Sequence, residues 1–212
     1  MILPRFRRGS HDRNIHALYG MIVAQARSAV FYTGYGVPDT VQGRFDLIVL
    51  HLVLLLSRLG RENEAGPKLG RSPPGLGPGL GPSLGPSLGP SLERSFGRNL
   101  GQRLFDVFCR DLEDNLREMG VGDLAVPRQM RRFGEAFYGR QAAYGAALAA
   151  ADQRELEKAL ARNIFEAVGV DDRAARLARY ARAAVTRLDI EEEDAVIAGK
   201  AVFPNPEAFA NA

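Results

Sequence analysis

Few side chains in this 212-residue sequence have the type and spacing to do chemistry. His51 stands out because it interrupts an apolar run from Leu47 to Leu56. An imidazole placed there could act as a general base, with Asp39 or Asp46 to orient it. Asp46 lies five positions upstream, about 140° around a helix, so the two do not face each other. The alternative is a core histidine hydrogen-bonded to a nearby polar group. His11 and His16 fall on different helix faces, and neither forms a metal-binding spacing with His51. No His-Glu-x-x-His, P-loop or Gly-x-Ser-x-Gly occurs, and the glycines between 75 and 89 do not follow Gly-x-Gly-x-x-Gly. Cys109 is the single cysteine, which excludes a disulfide framework and a cysteine-based zinc site and fits a reducing compartment. Within Leu104-Phe105-Asp106-Val107-Phe108-Cys109 it reads as a half-buried hydrophobe, not a nucleophile. Asp111, Asp114 and Glu118 share a helix face, but Arg110 and Arg117 interleave with them, as on a salt-bridged outer face. The expectation is therefore no catalytic residue, no metal and no cofactor.

The charges are more informative by position than by sum. The net charge is +3 and the pI about 9.2. Arg5, Arg7, Arg8 and Arg13 crowd the N-terminus, and an acidic run spans Asp189 to Asp194. Arg128, Arg131 and Arg132 fall in the first turns of an expected helix, where cations oppose the macrodipole. Arg5, Arg7, Arg8, Arg128, Arg131 and Arg132 are thus candidates for contact with RNA, the ribosome or anionic lipid. Between Asp39 and Asp46 the polar density exceeds what a core helix entry needs. Capping explains Asp39 or Thr40, while Arg44 and Asp46 imply a buried ion-pair network reaching another helix.

These residues must be positioned by helices, because 3–4 spacing of apolar residues recurs and no alternating strand pattern appears. The spacing predicts a first helix from about Arg13 to Tyr32, stopped by Gly34, Gly36 and Pro38. A second helix runs from an Asp39 or Thr40 cap to Leu59. It is apolar nearly all round and belongs in the middle of the domain, and it is too short and too closely bounded by charge to span a membrane. Residues 60–92 hold nine of the 23 glycines and seven of the 12 prolines, with Leu-Gly-Pro-Ser repeated from Leu80 to Ser91. One leucine per unit cannot offset the entropy of ordering, so this reads as a long disordered insertion between helices 2 and 3.

Beyond the insertion, Phe96 to Met119 carries one long apolar stripe closed by Gly120. Pro127 opens the next helix. Asp152 with Glu155 reads as a capping box for a helix ended by Gly169, and Asp171 or Asp172 starts another through Leu188. The tail with Phe203-Pro204-Asn205-Pro206 is expected to be extended and packed on the surface. The whole reads as all-α: a single compact helical domain of about six helices formed by 13–59 and 93–206, with a basic arm at 1–12 and a tail at 207–212.

Several stretches, taken in order, resemble the ubiquinol–cytochrome c chaperone family. They are Phe31-Tyr32, Val37-Pro38-Asp39-Thr40, Gly43-Arg44-Phe45-Asp46 and Leu50-His51, then Leu116 to Asp123 with Val126-Pro127. Phe137-Tyr138-Gly139-Arg140, Ala143-Tyr144, Ala159 to Asn163, Ala198-Gly199-Lys200 and Phe203-Pro204 complete the series. The likeness covers about 14 to 206, and the insertion is its one departure. It implies a protein that is not an enzyme, an assembly chaperone binding newly made cytochrome b during assembly of respiratory complex III. In mitochondria the family is similar to a ribosome-associated factor that partners a second small protein, so the resemblance extends to ribosome proximity and a second small assembly factor. The arginine patches suit an anionic membrane surface, and no DNA and no small-molecule substrate are expected. The absence of an evident signal or transit peptide suggests a bacterial-type member, cytoplasmic and peripheral at the inner membrane. The contact surface expected on this reading is Phe31, Tyr32, Val37, Pro38, Asp39 and Arg44, with Gly120, Val121, Gly122, Asp123, Tyr138, Gly139 and Arg140. The rival reading is a generic RNA- or anionic-lipid-binding helical module without a dedicated client.

Overall fold

A helix that is apolar on every face must be covered on every face. In a computed structural model, which describes residues 5–61, 96–192, 195–196 and 198–210, the run around His51 forms the helix Val41–Arg61. In chain order the elements are α1 (Arg5–Ala26), α2 (Val30–Thr33), α3 (Val41–Arg61), α4 (Phe96–Glu118), α5 (Val126–Ala149), α6 (Gln153–Ile164), α7 (Asp172–Ile190) and α8 (Glu207–Ala210). α3 is covered by α1, α4, α5, α6 and α7. The fold is all-α: six long helices and two single turns, with no strand among the described residues. The insertion lies, from residue 62 to its end, outside the described residues. The core runs from Leu18 and Ile22 of α1 through Leu47, Leu50 and Leu54 of α3 to Leu160, Leu177 and Ala181.

Local chemistry sets most of the helix ends. The Thr40 hydroxyl accepts from the Gly43 amide at 3.1 Å, capping α3. A Cβ on Gly43 would lie 2.0 Å from the Pro38 carbonyl oxygen, so the approach of that carbonyl to the first turn requires glycine. Gly120, at φ +80°, ends α4. Its amide donates to Arg117 O at 2.9 Å and the Val121 amide to Leu116 O at 3.0 Å, the paired bonds of a Schellman turn. Asp152 caps α6 and Asp171 caps α7.

Three expectations change. α1 begins at Arg5, ahead of the expected start at Arg13, and it ends at Ala26, short of Tyr32. The chain then bends through Arg27 to Ala29 and resumes as α2. The Tyr32 hydroxyl donates to Ala26 O at 2.8 Å, satisfying a carbonyl at the break. α6 stops at Ile164, not Gly169, because Glu166 takes a left-handed conformation at φ +50° and starts the turn early. The tail is core, not surface: Val196, Ala201, Phe203 and Ala210 are buried.

Arginines also serve the frame. Arg182 donates to the carbonyls of Ala147, Leu148 and Ala150 at 3.0–3.4 Å, closing the C-terminus of α5. Arg58 does the same for α7 at Leu188 O and Glu191 O. Each guanidinium supplies donors that helix-terminal carbonyls otherwise lack.

Candidate partner-binding surfaces and the polar junctions beneath them

Two of the sequence stretches meet inside the fold. Asp46 on α3 is 3% exposed and accepts from Arg140 of α5 at 2.7 Å and from Gln42 at 3.0 Å. Burial pushes the Asp46 carboxyl up to about 6, although the Arg140 guanidinium and the Gln42 amide both favour its charged form. The Arg140 guanidinium also lies 5.8 Å from the centre of the Phe45 ring and reaches Asn163 O at the end of α6. Arg140 thus ties α3, α5 and α6 together. The ion-pair network expected at Asp46 does reach another helix. Arg44 is not in it; this side chain pairs with Asp39 at 2.8 Å on the surface.

His51 is fully buried, and both of its ring nitrogens are engaged. Nδ1 lies 2.7 Å from Leu47 O, which can only accept, so Nδ1 carries the proton. Nε2 then accepts from the Tyr180 hydroxyl at 2.8 Å, and Tyr180 accepts from the Gln25 amide at 3.0 Å. Gln25 also donates to Pro204 O, and Tyr35 donates to Pro206 O at 2.7 Å, so the chain of bonds ends in the tail. The rings of Phe31, Tyr180 and Phe203 pack around the imidazole. Burial lowers the His51 pKa to about 4, and the ring stays neutral. Asp39 and Asp46 are spent on Arg44 and Arg140, so no carboxylate orients His51 for base catalysis.

Several other candidate groups on α4 are muted or paired. Burial lifts the Cys109 thiol to about 11. Asp111 accepts from the Tyr19 hydroxyl at 2.7 Å, while Arg117 pairs with Glu113 at 2.7 Å. Among the described residues no group of three or more His, Cys, Asp or Glu could hold a metal. No described helix is long and apolar enough to cross a membrane.

The expected contact residues divide by burial. Phe31 and Val37 lie in the core, packed behind α3, because the bend after α1 turns them inward; their side chains offer no surface. Tyr32 is half-buried with Arg44 5.9 Å from its ring centre, and Pro38, Asp39 and Arg44 are exposed at the start of α3. Gly120, Gly122 and Asp123 are exposed in the α4–α5 turn beside the half-buried Val121 and the fully exposed Leu124. Tyr138 and Gly139 are exposed on α5, whereas Arg140 is turned inward. Arg128, Arg131 and Arg132 are exposed on α5 and form no ion pair among the described residues. Arg5, Arg7 and Arg8 stand on the first turns of α1. Sequence reasoning missed Tyr180, Gln25, Arg182 and Arg58. Only Tyr180 left a trace, as an aromatic residue on the apolar stripe of α7.

A second feature also went unread. Ala143, Ala146 and Ala150 of α5 face Lys158 and Arg162 of α6 across a groove of about 420 Å3. It adjoins a groove of about 750 Å3, which shares Lys158 and Arg162 and is lined further by Val168 and Val170 of the α6–α7 loop.

Fold and polar junctions together define an all-α helical domain whose motif residues brace helices and whose small-residue groove is open. The sequence profile described as "Ubiquinol-cytochrome C chaperone" matches residues 33–203. A solved structure titled as the Cbp3 homolog from Brucella abortus is similar over 99% of both chains, at 31% identity and a TM-score of 0.75. No curated protein matches the chain. The chain belongs to the ubiquinol–cytochrome c chaperone family.

Proposed function

We propose that this chaperone binds newly made cytochrome b and supports its assembly into ubiquinol–cytochrome c reductase, respiratory complex III. The observation that carries the reading is the family match across 33–203, continuous with a full-length likeness to a Cbp3 homolog. The structure supplies a means. Apolar client helices awaiting partners need temporary cover, and exposed small-residue grooves between helices can give it without a stable interface. Tyr32, Pro38, Asp39 and Arg44, the α4–α5 turn from Gly120 to Asp123, and Tyr138 with Gly139 are the candidate contacts. Arg128, Arg131 and Arg132, with the arginines of α1, would hold the protein near the ribosome or the anionic cytoplasmic face of the membrane, where a second small assembly factor would join it.

Pulse-labelled cells expressing tagged protein test this directly. After brief crosslinking, labelled cytochrome b should be recovered early and disappear from the tagged fraction as complex III matures. Recovery of no cytochrome b at any chase time would reject the client.

A further inference from the structure

The joint of α3, α5 and α6 holds more buried donors than the surrounding side chains and backbone accept from. Arg140 Nη1 donates to Ala136 O at 3.3 Å, and Nη2 serves Asp46 at 2.7 Å and Asn163 O at 3.5 Å. Its Nε is also buried, yet it has no hydrogen-bond partner among the described residues. The same holds for the Tyr144 hydroxyl and for Asn163 Nδ2. Tyr144 is 0% exposed, so bulk solvent does not serve its hydroxyl. An unpaired polar group in the interior costs its full desolvation, and native folds rarely leave three of them at one joint.

The three groups face one another. Arg140 and Tyr144 are one turn apart on the same face of α5. An aromatic side chain in a helix lies over the turn before it, which here carries Arg140. The charges of Arg140 and Asp46 both act on the Tyr144 hydroxyl, which sets it near their ion pair. Asn163 enters from the end of α6, where its carbonyl meets Arg140. Asp46 closes the α3 side, with Gln42 and Arg140 both bonded to Oδ1. Ala143, Ala147 and Ala159 line the α5–α6 groove next to them and leave space that larger side chains would fill.

We infer that this joint is a binding site for one buried water molecule, which accepts from Arg140 Nε and Asn163 Nδ2 and shares a hydrogen bond with the Tyr144 hydroxyl. The donor set selects the ligand. Guanidinium and amide nitrogens only donate, so what they meet must accept, whereas a hydroxyl does either. A water accepts two bonds and donates two, and buried waters typically make about three bonds to such groups. An anion also accepts, but Asp46 already balances Arg140. The charges of Arg162 and Glu166, which also reach the joint, oppose each other, so a further negative charge gains no cation of its own. The water thus completes the tie between α3, α5 and α6, whatever client the chaperone binds.

Tyr144→Phe in the full-length protein tests the site by the sign of its effect. Loss of a hydroxyl that binds water should lower the melting temperature by about 2–4 °C. Removal of a hydroxyl with no partner relieves a buried polar group, so an unchanged or higher melting temperature would overturn the inference. A high-resolution crystal structure of the unmodified protein separates a water from a direct contact. One ordered peak is expected within about 3.2 Å of Arg140 Nε, Tyr144 Oη and Asn163 Nδ2. An Asn163 amide turned so that its oxygen accepts directly from Tyr144 or Arg140, with no such peak, would overturn the site. Crystals soaked in sodium bromide should show no anomalous scattering at the peak. A bromide signal there would make the ligand a halide and overturn the water.

Discussion

At the scale of single residues, the buried Asp46 and His51 pull stability in opposite directions with pH. His51 is held neutral to about pH 4, whereas its ordinary pKa is 6.5, so the unfolded chain binds more protons between those values. Its contribution is therefore lost as pH falls through that window. Asp46 retains its proton in the fold up to about 6, against an ordinary 3.8, so its contribution is present at low pH and lost as pH rises through 6. The slopes oppose each other between pH 4 and 6. Asp46→Asn should unmask the histidine slope, with urea-unfolding stability dropping on the order of 3 kcal/mol from pH 6.5 to 4. A pH profile parallel to the unmodified protein would contradict the assignment. Gly43→Ala is expected to cost more than about 4 kcal/mol, because backbone oxygen would lie against the new methyl; a melting point unchanged in that variant would refute the close approach. That Asp46 must reach another helix was legible from a charge density capping could not absorb. Its partner was not, because Arg140 lies on a helix beyond the insertion and a single sequence carries no trace of that pairing.

At the scale of elements, the six long helices could be read from the spacing of apolar residues, since each buries one stripe or, in α3, its whole surface. What could not be read depended on tertiary contacts. The bend after Ala26 is held by Tyr32, and the early end of α6 depends on Glu166 adopting a conformation that Gly169 was better suited to take. The tail looked like surface because Pro204 and Pro206 forbid regular structure. Yet their carbonyls accept from Gln25 and Tyr35, and Phe203 packs against His51 at 4.9 Å. Phe203→Ala should therefore cost about 3–5 kcal/mol in urea unfolding, the range of a large core truncation; a loss below about 1 kcal/mol would place the tail outside the core. In α5 the sign is reversed. Gly134→Ala and Gly145→Ala should each stabilise by about 0.5–1 kcal/mol, because helix propensity improves and no atom obstructs the new methyl. Destabilisation in either would show that the glycines serve the fold after all.

At the scale of the whole molecule, the motifs that carried the family likeness are largely structural. Phe31, Val37, Phe45, Asp46, His51, Phe137, Arg140 and Phe203 build the core and its polar junctions, so they identify the fold more directly than any client surface. This is why fold and family could be read from the sequence, while exposed positions such as Ala142 and Ala146 show no pattern until a helix axis places them side by side. The basic character divides in the same way, with Arg58, Arg140 and Arg182 committed to helix ends and junctions and Arg128, Arg131 and Arg132 left facing outward. The most direct measurement of the central claim is the complex III content of membranes from a strain lacking the gene, read from haem b and haem c difference spectra and ubiquinol–cytochrome c reductase activity. The account predicts a severalfold loss of both haem b of complex III and reductase activity, with other terminal oxidases preserved and the loss reversed by the unmodified gene. Unchanged complex III in the deletion strain would contradict it.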